Sequence, residues 1–218
     1  MKNIWIIGDG GFAVEVFYWT KQTLELQKDQ FQMKGFLTDV RSSPDILSRL
    51  GENEKYCNVL SCKNFEPKDN DYFVCGIGDS HIKRKVINEI NINKFKFINI
   101  IHPSAVVSDN VQMGKGVFIC PHVTVAGNVQ LGDFVMLNMA SIVSHDGIVG
   151  NFSSISPFSG AMGYVHIGEE VFVGAGAVIT PHIEIGDKSI IGAGAVVIRN
   201  VKSETVIVGN PGKELHKK

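Results

Sequence analysis

Starting at Ile101, every sixth residue is apolar: Ile101, Val107, Met113, Ile119, Val125, Leu131, Leu137, Val143, Val149, Ile155, Ala161, Ile167, Val173, Ile179, Ile185, Ile191 and Val197. All seventeen stay in phase, and fifteen are Ile, Val or Leu. A half-buried strand alternates with a period of about 2 and a helix repeats every ~3.6 residues, so neither explains a sustained period of six. A solenoid with three flat sides per coil does. One coil then takes 18 residues, and residues 18 apart stack about 4.8 Å above one another. Positions 101 to 197 supply a little over five coils. The aliphatic residue points inward on each side. A small or β-branched residue two places earlier (Val111, Val117, Val123, Val129, Val165, Val171, Ala177) is expected to ease the corner. The glycine that often follows the aliphatic residue (Gly114, Gly132, Gly150, Gly168, Gly174, Gly186, Gly192) is expected to supply a positive φ there.

The first hundred residues read differently. A buried strand is predicted over 2–8, a turn at Gly8-Asp9-Gly10-Gly11, and an amphipathic helix over 12–27 with Phe12, Val16, Trp19 and Leu24 on one side. Further strands are predicted over 33–39, near 57–60 and over 71–78, with helices over 44–50 and 80–90. Strands alternating with helices imply a small parallel sheet of Rossmann-like type. The predicted organisation is an α/β domain over 1–100 followed by a parallel β-helix domain over 101–218.

Composition narrows the function classes. The 218 residues are 44% hydrophobic and 20% charged, which excludes disorder as the main state. Twenty-one Lys and Arg against 22 Asp and Glu give a net charge of −1, so the broad positive field that nucleic-acid binding needs is missing. Cys57, Cys62, Cys75 and Cys120 form no CxxC pair, which argues against a disulfide framework or a zinc ribbon. No apolar run is long enough for a membrane span, and the N-terminus reads as a strand rather than a signal peptide. A cytoplasmic protein without a bound metal is the expectation.

Two places carry candidate chemistry. Gly8-x-Gly10-x-x-Ala13 lies between a predicted strand and helix, where backbone N–H groups and the helix start attract phosphate. The same glycines serve equally well in a tight structural turn. Thr38 and Asp39, at the end of the second strand, could accept hydrogen bonds from a ribose or base, and Gly78 would allow close ligand approach. In the second half, His145 follows the inward Val143 by two residues, so the period puts it on the outer surface beside Asp146. Eighteen residues further on, Gly163 should stand one coil along from it. A solvated surface histidine remains the alternative. His81, His102, His122, His166, His182 and His216 are read as structural. His122 and His182 fall on different faces and share no metal site.

The order of segments, from IIGDGG through GFLTD and GIGDSHIKRKV to IHPSAVVS opening the hexad array, resembles the NeuD/PglD-type sugar acyltransferases over essentially the whole chain. The resemblance implies a left-handed parallel β-helix and a homotrimer with active sites between neighbouring solenoids. It implies an acetyl-CoA-dependent N-acetyltransferase acting on the 4-amino group of a nucleotide-linked 4-amino-4,6-dideoxy sugar, in surface glycan synthesis. By the same resemblance His145 is the general base, Asp146 its helper in place of a commoner Glu, and Gly163 the contact for the acetyl carbonyl. Asn138 matches an asparagine near the histidine. Ser154 stands where some relatives have a second histidine that meets the acetyl donor, and Ala175 and Ala193 match its pantetheine contacts. Gly10, Gly11, Phe12, Thr38, Asp39 and Gly78 match the sugar-nucleotide positions, with Phe12 replacing a common His and Thr38 a common acid. A sugar O-acetyltransferase of sialic-acid type and a non-catalytic β-helix scaffold are the competing expectations.

Overall fold

A computed structural model describes residues 1–25, 30–38, 46–90 and 92–215, with 54–56 as backbone only. The chain divides into two compact units: Met1–Gly78 with Ile82–Ile100, and Asp79–His81 with Ile101–Lys218.

The first unit contains β1 (Lys2–Ile7), α1 (Gly11–Leu24), β2 (Phe31–Thr38), β3 (Asn58–Ser61) and β4 (Asp71–Cys75). Helix α2 (Ser80–Glu89) follows, and its first residues group with the second unit. The sheet order is β3-β2-β1-β4, and every pairing is parallel. The chain steps outward from β1 to β3 and then returns to the far side of β1 for β4. Strand order therefore reverses at β1, and open parallel sheets bind ligands beyond the carboxyl ends at such a point. Of the helix predicted over 44–50, residues 44 and 45 lie outside the described residues. A 3-10 segment occupies Ser48–Tyr56.

The buried stripe of α1 is Ala13, Val16, Phe17 and Thr20; of the predicted Phe12, Val16, Trp19 and Leu24, Val16 alone belongs to it. Packing explains the difference. A Cβ on Gly76, just after β4, would stand 3.1 Å from the Cα of Ala13. The close approach at Gly76 leaves room only for a small residue at position 13, and the bulky Phe12 and Trp19 turn aside and meet edge to face. Asp71 fastens β4 to β1: buried, it accepts from the Asn3 side chain at 2.8 Å, the Trp5 indole at 3.2 Å and the Lys68 N–H at 2.9 Å.

The second unit is the predicted three-sided coil. Two-residue strands recur every six residues from Ile100–Ile101 to Val196–Val197 and sort into three parallel walls. Ile142–Val143, for example, pairs with Gly160–Ala161 ahead and Thr124–Val125 behind, a register of 18. From Ile119 to Val197 every hexad aliphatic is buried. Ile101, Val107 and Met113 are not, because the first coil has a neighbour on one side only.

Two details of the hexad differ from the sequence expectation. The residue two before the aliphatic is a second interior position, not a corner: Val117, Val123, Val129, Val171 and Ala177 are fully buried. The positive φ falls three residues after the aliphatic, mostly on non-glycine residues, including His122 (59°), Asn128 (60°), Asp146 (58°), Tyr164 (59°) and His182 (61°). Each such residue costs about 1 kcal/mol in this region. The cost is offset by the stack, since its N–H donates to the previous coil, as Tyr164 N–H does to the His145 carbonyl at 3.1 Å.

The glycines that follow the aliphatics answer a different need, close approach. A Cβ on Gly168 would touch Asp187 Oδ1 and stand 2.8 Å from the Asp187 backbone N. That room lets Asp187 Oδ1 accept from Glu169 N–H at 2.8 Å. Gly114 with Asp133, and Gly132 with Asn151, repeat the arrangement.

Candidate active site

His145 and Asp146 form the corner that follows the strand Ile142–Val143. The backbone places them, since Asp146 occupies the left-handed corner position and its N–H donates to Gly127 O at 3.0 Å. His145 Nδ1 lies 2.8 Å from Asp146 Oδ2. The histidine side chain is 59% exposed and the aspartate 32%. Hydrogen bonds from His145 first, then from Asn128, hold the Asp146 carboxyl below the usual carboxylate range, with a smaller contribution from Tyr164. An ionised carboxylate only accepts hydrogen bonds. The ring proton therefore sits on Nδ1, and the Nε2 lone pair is left for an outside proton donor.

One coil along is Gly163, as the 18-residue arithmetic requires. The imidazole lies over its Cα, and a Cβ there would be 2.7 Å from both Cε1 and Nε2. The Gly163 carbonyl accepts from His182 N–H at 3.1 Å. Among the described residues nothing accepts from the Gly163 N–H. An imidazole with a lone pair and an unclaimed amide donor thus stand side by side, a combination suited to taking a proton while stabilising an oxyanion.

The same corner holds a column that the sequence reading passed over. Asn110, Asn128, Asp146, Tyr164 and His182 are spaced by 18. Asn110 donates to Asn128 at 2.6 Å, and Asn128 to Asp146 Oδ1 at 3.2 Å. Tyr164 meets His145 edge to face at 5.2 Å, and His182 stacks flat on Tyr164 at 4.9 Å. His182, expected to be merely structural, is therefore part of this corner. The 18-residue spacing from Asp146 was the available signal.

The other candidates of this unit stand elsewhere on the coil. Asn138, Ala175 and Ala193 occupy the preceding corner, and the Asn138 side chain accepts from its own neighbour Met139 N–H at 2.8 Å. Ala175 and Ala193 are exposed and stack 18 apart, with Gly194 N–H donating to Ala175 O at 2.9 Å. Ser154 is buried on the wall half a coil from His145. One chain does not bring these residues to His145.

In the first unit, Gly10, Gly11, Phe12, Thr38 and Gly78 all lie at the carboxyl end of the sheet, around the switch point. Asp39 lies outside the described residues. Gly10 precedes α1 without a side-chain cap, and a Cβ on it would meet nothing within 4 Å. Thr38 Oγ1 donates to Asp9 Oδ2 at 2.9 Å. The Phe12 ring covers Gly78 at 3.6 Å from where a Cβ would stand. Arg49, which no local motif announces, brings its guanidinium to 3.7 Å from the corresponding point on Gly11. The space ahead of α1 thus has open backbone amides with a cation beside them, which suits phosphate. Among the described residues no group of three His, Cys, Asp or Glu is arranged to hold a metal ion, and no helix is long and apolar enough to cross a membrane.

Comparison with known proteins agrees with this architecture. Residues 164–199 match the family model described as bacterial transferase hexapeptide (six repeats). The chain is 33% identical over 137 residues to GDP-perosamine N-acetyltransferase of Escherichia coli O157:H7, which covers 62% of this chain and 61% of that protein's length. The crystal structure of PerB from Caulobacter crescentus in complex with CoA and GDP-perosamine superposes over 99% of this chain and 98% of that one, with a TM-score of 0.77 and 27% identity. The acetyltransferase domain of PglB from Neisseria gonorrhoeae in complex with acetyl coenzyme A gives a TM-score of 0.82 at 25% identity, over 98% of this chain and 99% of that one. The architecture is thus a Rossmann-like domain followed by a left-handed parallel β-helix.

Proposed function

We infer that this chain is a hexapeptide-repeat acetyltransferase of the NeuD/PglD type, which transfers acetyl from acetyl-CoA to the 4-amino group of a nucleotide-linked 4-amino-4,6-dideoxy sugar during surface glycan synthesis. What carries this reading is the His145–Asp146 pair at 2.8 Å with its imidazole laid over Gly163. The likeness along the whole chain to a protein solved with CoA and GDP-perosamine, itself a nucleotide 4-amino sugar, supports the substrate class.

The chemistry follows from the atoms. Asp146 holds the His145 proton on Nδ1, so Nε2 is the base. The amine nitrogen attacks the thioester carbonyl carbon, and its N–H proton passes to Nε2. The carbonyl oxygen becomes an oxyanion and takes the free Gly163 N–H. Collapse of the tetrahedral intermediate breaks the C–S bond. The CoA thiolate leaves and receives the proton from the imidazolium. No metal is needed at any step. The first unit would hold the sugar nucleotide, with its diphosphate on the amides of Gly10 and Gly11 beside Arg49 and its remainder near Phe12, Thr38, Asp39 and Gly78.

The division of candidates between two corners supports a homotrimer. Asn138, Ala175 and Ala193 lie on one corner of the prism and His145 with Gly163 on the next. A second copy presenting its corner to the first would complete the acetyl-CoA groove. The wall between the corners carries exposed apolar side chains, including Val106 (67%), Ile142 (41%) and Val178 (36%), as an interface requires. Acetyl-CoA and nucleotide sugars are cytoplasmic metabolites, so the same reading puts the protein in the cytoplasm.

The test is mass spectrometry of GDP-, UDP- and dTDP-linked 4-amino-4,6-dideoxy sugars incubated with the protein and acetyl-CoA. Acetylation of at least one, with free sialic acid unchanged, is expected. Acetylation of sialic acid alone would make the protein an O-acetyltransferase, and no acetyl-CoA binding by calorimetry would leave a scaffold.

A further inference from the structure

An exposed ion pair is ordinarily loose. Two surface side chains gain little from one another and lose rotamer freedom on pairing. Catalysis needs the opposite, a base held to a fraction of an ångström. His145 and Asp146 are neighbours in sequence on an open corner, and the short aspartate leaves both side chains alternatives. Something must order them.

The corner column supplies it. Asn128, from the coil behind, donates to Asp146 Oδ1 and is itself held by Asn110. Tyr164, from the coil ahead, also favours the ionised form of that carboxyl, less strongly than His145 and Asn128 do. Its ring also stands at 88° to the imidazole, 5.2 Å between centroids, which limits how that ring can turn. Behind it, the His182 ring lies 7° from parallel, so the tyrosine is itself braced. The Asp146 carboxylate is thus held by Asn128 from the coil behind, the imidazole is flanked by the Tyr164 ring from the coil ahead, and Oδ2 is left for His145.

We propose that Tyr164 is a positioning residue for the His145–Asp146 pair, with His182 stacked behind it as its support. Tyr164 touches no reacting atom. Its ring limits how the imidazole can turn, which keeps Nδ1 on Asp146 and aims Nε2 outward. The His182 ring stacks on Tyr164, so displacing the tyrosine would break two ring contacts.

The proposal rests on the acetyltransferase reading only for its kinetic arm. The direct test is nitrogen-15 NMR of the free protein, with the His145 signals assigned by their loss in His145→Gln. In the wild type His145 should be the Nδ1–H tautomer. Tyr164→Phe keeps both ring contacts and should keep the Nδ1–H tautomer. Tyr164→Leu, which removes them, should make the Nε2–H tautomer visible. With substrates, Tyr164→Leu should lower kcat by about fivefold, with both KM values within about twofold, and Tyr164→Phe should stay near wild type. The pH–rate profile should shift in Tyr164→Leu. A residue that only stabilised the coil would lower the melting temperature and leave tautomer and pH profile alone. An unchanged tautomer in Tyr164→Leu would overturn the proposal. A tautomer shift in a protein that acetylates nothing would uphold it and defeat the acetyltransferase reading instead.

Discussion

The Nε2 atom of His145 would lie 2.7 Å from a methyl group placed on Gly163, one coil away. The two residues are separated by 18 in sequence and by one step of the solenoid, so their contact is a direct consequence of coil length. Glycine at 163 is what permits the imidazole to lie against the backbone.

Gly163→Ala should therefore displace the imidazole. The added methyl meets a side chain at the surface, which can swing away, so the coil survives. The expected outcome is a melting temperature close to wild type with kcat lowered at least about tenfold, since base and oxyanion donor are disturbed together. Parallel thermal unfolding and steady-state kinetics check both halves.

Asp146→Asn should cost at least about tenfold in kcat, because an amide can donate to Nδ1 and favour the wrong tautomer. It also gives a pH prediction. The Asp146 carboxyl is held below its ordinary range by His145 and Asn128. A carboxyl whose folded value is depressed adds stability above its unfolded value, and that stability is lost as pH falls through the folded one. Wild type should exceed Asp146→Asn in melting temperature at pH 7, and the gap should close on acidification below the usual carboxylate range. The gap is small throughout, since the pair is exposed. A gap that widens in acid would contradict the account.

Gly168→Ala tests the close-approach role of the glycines. A methyl there would press on Asp187 Oδ1, which would have to give up its bond from Glu169 N–H, and on the Asp187 backbone N at 2.8 Å, which cannot move without opening the coil. A loss of about 2 kcal/mol or more is expected from denaturant unfolding. Gly10→Ala is the control, because its methyl would enter open space at an ordinary φ of −77°.

Much of this was legible before any coordinates. A strict period of six has one geometric solution, and counting by 18 then gives every vertical neighbour, His145 with Gly163 included. The same count leads from Asp146 to Tyr164 and His182, but a tyrosine and a histidine have many structural uses, so the column did not stand out. The corner conformation was not legible. Left-handed φ values on His122, Asp146, Tyr164 and His182 run against local preference and are imposed by the stack. Glycines drew attention to the wrong feature, backbone freedom, when their work is to let the next coil approach. Arg49 escaped because only the fold brings position 49 beside Gly11. Asn138, Ser154, Ala175 and Ala193 came from resemblance alone, and the geometry of one chain leaves them on other corners and walls.

The central claim is that His145 takes the proton of the attacking amine. Single-turnover acetylation of a nucleotide 4-amino sugar, with saturating acetyl-CoA and His145→Ala beside wild type, tests it most directly. The account predicts a loss of at least about 10²-fold in the chemical step with both substrates still bound. Turnover near the wild-type rate in a folded, substrate-binding His145→Ala protein would contradict it.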